Sequence, residues 1–422
     1  MKDTYISTDS YKGVRDFYPE DASIQQFIFS IWSKTAESFG FSRYDASILE
    51  PSDLYKAKGA ENEELVNEQT YTFVDRGNRE VTLRPEMTPT VARMVAAKQK
   101  ELSFPLRWYS VPNLFRYERP QKGRLREHWQ FNCDIFGSDH IAADIETIAL
   151  AYQTLINFGI KPDQFLIKIN DRAMMKRIYL AIGLSEHQIN SVTKLNDKKD
   201  KISAEDYRLS LNKITEDETM SEEIIMVLGK SDEQTDVVLG LQEVGITNVL
   251  FDKNLARGFD YYTGTIFEVN AVDKDGKETG RALLGGGRYD NLTKLFSEQS
   301  VSGVGFGMGD VALKEFLLEN KLIPETVTNT AANVVLIPMD QVLNLEAQKI
   351  ASRLRSLKIS VTTDISSRKT GKKISDAREK GAEFIIVVGE TESESSIYTL
   401  KSLSTEEEVT GDIDTLQKKL NG

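Results

Sequence analysis

The sequence predicts an α+β protein: an antiparallel sheet flanked by helices and interrupted by a helical insertion, followed by a separate α/β domain. Three observations carry this. Up to about residue 158, amphipathic helical stretches alternate with short strand-like, turn-rich segments. Between about 170 and 245 the texture changes to short helical patterns rich in Lys, Glu and Asp, with few aromatics. Beyond about residue 331 the order becomes strand, helix, strand, helix, strand, the alternation of a parallel α/β unit. A chain of 422 residues exceeds one ordinary core. The expected domains are therefore 1–325, with the insertion at 170–245, and 331–422.

Each element has its own signal. Residues 21 to 39 place Ile24, Phe27, Ile28, Ile31, Trp32, Ala36 and Phe39 on one stripe, with Asp21 positioned to cap a helix and Gly40 to end it. YTFVDRGNREVTLRPE predicts a hairpin turning at 75–78. LRWYSVPNLFRYERPQKGRLREHWQFNCDIFG predicts two strands around a basic, glycine-containing loop, and a second amphipathic helix spans 142–158 before Gly159. Strand alternation returns at 263–269, followed by LLGGGRYDNL and by GVGFGMGDVALKEFLLEN, a strand or Gly-rich turn entering a helix. KLIPETVTNTAA, 321–332, is a linker. NVVLIP, a helix at 345–357, ISVTT, a helix around 372–380 and FIIVVG complete the last domain.

Composition excludes several classes. With 40% hydrophobic and 28% charged residues the chain reads as soluble and globular. It has no apolar run of membrane-spanning length, and MKDTYISTDSYKG has no apolar signal region. The single Cys133 excludes an internal disulfide and suits a reducing, cytoplasmic compartment. His128, His140 and His187 lack ligand spacing, so no protein metal site is expected. A net charge of −12 argues against indiscriminate nucleic-acid binding but leaves room for a local basic surface.

Four stretches could carry chemistry. LARGFDYYTGTIFEV, 255–269, sets Arg257 and Asp260 beside a core-like strand, where a charge is costly unless paired. FRYERPQKGRLRE, 115–127, holds Arg116, Arg119, Lys122, Arg124 and Arg126 around Gly123. These arginines either bracket a polyphosphate or decorate a solvated hairpin. The glycines 285–287 serve either a tight turn or a ligand. In LRPEMT, Glu86 is either a binding carboxylate or a helix-start residue.

Taken together, these motifs resemble the histidyl-tRNA synthetases, members of the class II aminoacyl-tRNA synthetases, over nearly the whole chain. KGVRDFYPED resembles their N-terminal segment, LRPEMTPTVAR their amino-acid-binding turn, and FRYERPQKGRLREHWQF class motif 2. LARGFDYYTGTIFEV and GGGRYDNL resemble two segments peculiar to the histidyl enzymes, and the last domain resembles their anticodon-binding domain. The resemblance implies a class II synthetase-like sheet and a two-step reaction. L-histidine and ATP would give histidyl-adenylate and pyrophosphate, and histidine would then pass to the 3′ end of tRNA(His). It also implies a cytoplasmic homodimer, with residues 21–60 in the dimerisation region.

The same resemblance assigns roles. Arg257 and Arg116 would act in catalysis at the α-phosphate, where a pentavalent transition state gathers negative charge. Glu86 and Thr88 would hold the α-ammonium group; Gln130, Asp134, Tyr261 and Tyr262, with Arg257 on the carboxylate, would complete the histidine site. A buried acceptor facing an imidazole N–H discriminates strongly against amino acids without one. Many members of the family carry glutamate where this chain has Asp134, which implies a longer or water-bridged contact. Glu118 would receive the adenine amino group and Arg124 would lie near the outer phosphates, with Mg²⁺ accompanying ATP. Arg119 and Gln121 fall where the family reads the extra 5′ guanosine of its tRNA. Lys372 and Lys373, within the basic run from Arg368 to Lys380, would meet the anticodon stem.

One departure stands out. Class motif 3 ends in a glycine-rich strand and a helix opening with Glu-Arg, whose arginine stacks on adenine and contacts the γ-phosphate. Here Ala312 occupies that place. Either Arg288 or another cation makes the contact, or ATP binding is impaired, or this branch dispenses with it. Two rivals remain at this level. One is a non-catalytic, histidine-binding regulatory paralogue of the ATP phosphoribosyltransferase complex. The other is an RNA-binding protein using the α/β domain alone.

Overall fold

A computed structural model describes residues 5–57, 69–119, 123–196, 199, 202–229, 234–256, 261–328 and 332–421. The chain divides into two compact units. One is Ile28–Leu322 with the residues ahead of Phe17; the other is Ile323–Gly422 with Phe17–Phe27.

The chain opens with helix α1 (Pro19–Ser38), then β1 (Ser42–Arg43), β2 (Leu49–Pro51), the short α2 (Asp53–Lys56), β3 (Tyr71–Val74) and β4 (Glu80–Leu83). Asp21 lies inside the first turn of α1, so it complements the helix dipole and is not the cap. Ile28, Trp32 and Ala36 are fully buried, and the Trp32 ring stacks on Phe131 at 5.5 Å. Strands β3 and β4 form the hairpin expected at 75–78. Asp75 accepts from the N–H groups of Gly77 and Arg79, and Asn78 turns the chain at φ 57°.

Next come α3 (Thr88–Lys98), β5 (Leu106–Ser110), β6 (Asn113–Phe115), β7 (Glu127–Phe136) and α4 (Ile141–Asn157). Three strands therefore stand where two were expected, because the turn at 111–112 breaks the first run before it pairs with β7 as β6. Then β8 (Phe165–Asp171) leads into α5 (Arg172–Ile182), α6 (Glu186–Asn196), α7 (Ala204–Thr215), α8 (Glu218–Leu228) and α9 (Asp236–Glu243). Helices α5 to α8 share a core of their own, including Tyr179, Val192, Leu211 and Ile224. The chain returns through β9 (Val249–Phe251), β10 (Thr265–Val272), β11 (Glu278–Arg288), β12 (Gly303–Gly309) and α10 (Asp310–Glu319).

The main sheet runs β1-β5-β7-β12-β11-β10-β8-β9, with β6 also on β7. Its centre is antiparallel as expected, but both edges are parallel: β1 on β5 and β9 on β8. Parallel neighbours need long crossovers, and the helical insertion is the crossover between β8 and β9.

In the second unit, β13 (Val334–Pro338), α11 (Asn344–Ser356), β14 (Val361–Thr363), α12 (Thr370–Glu379) and β15 (Phe384–Val388) alternate in sequence. They are followed by α13 (Glu390–Ser395), β16 (Tyr398–Ser402), β17 (Glu408–Gly411) and α14 (Ile413–Asn421). Strands β14, β13 and β15 are parallel, and β16 and β17 add an antiparallel edge. Val334 and Leu336 pack under α11 and α14 while Val335 and Ile337 join Ala377 of α12. Both faces of the sheet are covered, which is why NVVLIP is apolar without alternation.

Candidate active site

Alternation along β7 builds the floor of a pocket. Phe131, Cys133 and Ile135 turn into the core, so Gln130, Asn132 and Asp134 turn to the opposite face and line a cleft. Behind them runs β12, with Gly305 opposite Asp134 and Gly307 opposite Asn132. A Cβ on Gly305 would stand 2.1 Å from Asp134 Oδ1, and one on Gly307 2.7 Å from the Gln130 amide. The polar side chains of β7 therefore lie directly against bare backbone. That close approach is what the glycines of GVGFGMG provide.

Other segments close the walls. The turn entering α3 brings buried Glu86, and Thr88 opens that helix; both line the cleft. Tyr261 donates to Glu86 Oε2 at 3.3 Å, its ring 4.8 Å from Tyr262 and edge-on to Tyr289 at 5.8 Å. Arg116 reaches the same cleft, its Nε bonded to the Pro85 carbonyl at 2.9 Å. Glu118 stands between two guanidinium groups, 4.0 Å from Arg116 and 3.6 Å from Arg124. Arg119 is exposed. Arg257 and Gln121 lie outside the described residues.

The electrostatics at the closed end are distinctive. Burial pushes the Asp134 carboxyl up to about 7, although the hydroxyl of Tyr289 donates to it and pulls the other way. Burial also raises the phenols of Tyr261 and Tyr289, with neighbouring Tyr262 and Asp134 adding to the effect, so both stay neutral donors. A carboxyl whose ionisation burial opposes, held through one oxygen by a phenol, can serve as acceptor for an N–H of a small cationic or heteroaromatic ligand. Glu86 at the other end suits an ammonium group.

Tyr289 and Asn132 complete this arrangement, and neither was assigned a role by sequence. Asn132 was within reach of the i, i+2, i+4 pattern of β7. Tyr289 was not, because its partner lies 155 positions away.

Two assigned residues are corrected. Arg288 faces away from the cleft, into a buried ion pair. Its Nε lies 3.1 Å from Asp144 Oδ1 and a terminal nitrogen bonds the same carboxylate, while Nη1 donates to the Ser138 carbonyl at 2.9 Å. Asp290 adds a further contact at 3.3 Å. With its donors committed and only 8% of its surface exposed, Arg288 cannot also meet a phosphate without abandoning a buried carboxylate. In the second unit, Lys373 is 4% exposed and its ammonium donates to the carbonyls of Pro338 and Asp364 at 3.1 and 3.3 Å. It fastens α12 across the ends of β13 and β14 and offers nothing to a polyanion. Lys372 is exposed on the same helix, bridged to Asp376 at 2.9 Å.

The chain is similar along nearly its whole length to known proteins. Residues 13–312 match the family model for histidyl-tRNA synthetase, and residues 333–422 match the anticodon binding domain. The chain is 40% identical to the histidine–tRNA ligase of Leptospira biflexa serovar Patoc, covering 97% of this chain and 96% of that one. It is likewise 40% identical to the histidine–tRNA ligase of Thermoplasma volcanium, with 96% of each covered. The fold superposes on the crystal structure of histidyl-tRNA synthetase from Nostoc sp. PCC 7120 with a TM-score of 0.78 at 22% identity, covering 99% of both chains. The apo S. aureus enzyme gives 0.71 at 24%, covering 98% of this chain and 99% of that one.

Proposed function

This chain belongs to the histidyl-tRNA synthetase family, and we propose that the cleft between β7, β12 and the α3 turn is where it activates L-histidine. Its activity is that of an ATP-dependent histidine–tRNA ligase. One observation carries the assignment of the site. Glu86, Thr88, Arg116, Gln130, Asp134, Tyr261 and Tyr262, drawn from separate segments, line a single cleft.

In this reading Glu86 and Thr88 receive the α-ammonium group, and Gln130, Asp134 and Tyr262 the imidazole. Tyr289 acts through Asp134, whose second oxygen it leaves free for the imidazole N–H. Arg116 stands at the α-phosphate, and Arg257 completes the carboxylate and phosphate contacts. Glu118 and Arg124 serve the adenine amino group and the outer phosphates. Attack by the histidine carboxylate on the α-phosphorus expels pyrophosphate, and fixed guanidinium groups answer the charge that gathers there. Mg²⁺ enters with ATP. Among the described residues no three His, Cys, Asp or Glu side chains gather as a metal-holding group. Accompanying ATP, such a cation would offset phosphate charge as the carboxylate attacks.

Histidine-dependent ATP–pyrophosphate exchange is the test. A purified chain that exchanges with histidine alone among the amino acids supports the reading. Histidine binding without exchange would instead favour the regulatory paralogue.

Two wider contacts follow. Arg119, Gln121 and Lys372 are proposed to touch tRNA(His), Lys372 from the domain whose model is anticodon binding. Lys372→Glu should weaken tRNA binding several-fold in a filter assay at low salt, where each phosphate contact counts most, and leave exchange unchanged. Lys373→Met should instead lower the stability of the second unit by about 1–3 kcal/mol, since two buried carbonyls lose their donor. Equal effects of both on tRNA binding alone would contradict the assignment.

A cytoplasmic homodimer is also proposed. Cys133 is buried as a free thiol, and no helix among the described residues is long and apolar enough to cross a membrane. The small sheet of β2, β4 and β3 leaves Leu49, Phe73 and Val74 exposed beside Ile48. Leu49 and Phe73 share one face of this sheet, and apolar side chains exposed there are what a second subunit would cover. Light scattering should give twice the chain mass of 47.6 kDa; a single chain mass at micromolar concentration would refute the dimer.

A further inference from the structure

Along the floor of the cleft Asn132 stands between Gln130 and Asp134, and all three side chains line it. In the reading above Gln130 and Asp134 meet the imidazole, and Asn132 has no task. Its side chain is nevertheless costly to keep there. Asn132 is only 5% exposed, and a buried amide costs stability unless its polar atoms are matched. The protein matches only part of it. Among the described residues the one hydrogen bond of this side chain runs from Nδ2 to the Gln130 carbonyl at 3.1 Å. A carboxamide has two N–H hydrogens and an acceptor oxygen, so a donor and an acceptor remain for a ligand in the cleft.

The neighbouring strands leave that place open. Asn132 lies opposite Gly307 of β12 on one side and Ser110 of β5 on the other. One has no side chain and the other a short one, so neither covers the amide. Two residues further along, Asp134 lies opposite Gly305 and is held through Oδ1 by Tyr289. Alternate residues of a strand stand about 6.6 Å apart on one face. A small ring lying along β7 can therefore meet both side chains, one at each end. Neutral imidazole carries one N–H and one bare nitrogen. Asp134 offers an acceptor to the first, and Asn132 a donor to the second.

We propose that Asn132 reads the second ring nitrogen of L-histidine: its Nδ2 donates to the unprotonated nitrogen while Asp134 accepts from the protonated one. This rests on the ligase reading above. A site that bonds both nitrogens rejects a ring lacking either, because a buried polar group is then left unpaired. If Asn132 only fastened the Gln130 carbonyl, its loss would weaken the binding of every ring alike.

The two pyrrolylalanines test this, since each keeps one ring nitrogen of histidine as an N–H and has carbon in place of the other. In pyrophosphate exchange the parent should prefer histidine over the better of the two by about a hundredfold or more in kcat/KM. In Asn132→Ala that preference should narrow by about tenfold, the loss of one hydrogen bond to a buried group. KM for histidine should rise and KM for ATP should stay within about twofold of the parent. Should the alanine variant fail to fold, Asn132→Ser is read in the same way. An unchanged preference in the folded variant overturns the proposal. So does a preference lost in Tyr262→Phe and kept in Asn132→Ala, which would make Tyr262 the second reader. A parent chain that binds histidine without exchange overturns the ligase reading instead, and calorimetric titration of histidine and the pyrrolylalanines into parent and variant then still reads the preference. A parent that does not bind histidine overturns both.

Discussion

Arg257→Ala is expected to lower kcat for histidine-dependent pyrophosphate exchange by about two or more orders of magnitude, the scale seen when one preorganised electrostatic group is removed. The negative charge on the α-phosphoryl group grows as the histidine carboxylate attacks. A guanidinium fixed at that point therefore contributes more to the transition state than to the bound substrates. Binding of histidine and ATP should fall much less, because Glu86, Gln130, Asp134 and Arg116 also line the cleft. Transfer from preformed adenylate should also suffer less, since that step expels AMP and not pyrophosphate. If Arg257 merely paired with Asp260 or Glu268, stability and every activity would fall together and Arg257→Lys would restore most of them. A folded variant that binds both substrates and exchanges at near the parent rate rules out the catalytic role.

Gly305→Ala should be nearly as damaging by a different route. The added methyl would meet Asp134 Oδ1 at 2.1 Å and the Cys133 carbonyl at 2.6 Å. One is a side chain locked by Tyr289 and the other is backbone of the central strand. Overpacking of this kind costs about 1–3 kcal/mol, and here any relief must move Asp134 away from the imidazole. The expected result is a lower melting temperature together with a KM for histidine raised by about two orders of magnitude, the loss of a buried polar contact. KM for ATP should change little. Gly309→Ala is the matched control: its Cβ meets nothing within 4 Å and its φ is −78°. It should leave both parameters within about twofold. Equal behaviour of the two variants would mean that the glycines serve strand flexibility and not the fit of Asp134.

What could be read from sequence follows the range of the interactions involved. The hairpin at 75–78, the helix ending at Gly159 and the α/β alternation of the second unit are set by local turn chemistry and short periods, and they appear where the residues imply them. The pocket side chains Gln130 and Asp134 follow from strand alternation once the motif is recognised. Arg288 and Lys373 were misread for one physical reason: a basic side chain near a glycine run or a basic cluster looks solvent-facing until its partner is known. For Arg288 that partner, Asp144, is 144 positions away, and for Lys373 one carbonyl is 35 away. The parallel edges of the large sheet were equally hidden, since they depend on where a long excursion re-enters.

That excursion has a thermodynamic consequence. Residues 172–243 leave the sheet from β8 and come back to it at β9, hydrogen-bonded to the very strand they left. They also carry an apolar cluster drawn from α5 to α8 and the turns between them. Within the first unit the insertion is thus a second core joined to the sheet at one seam, and heat or denaturant need not open both at once. Amide protons of α5 to α8 can exchange through an opening that leaves β7 and β12 protected.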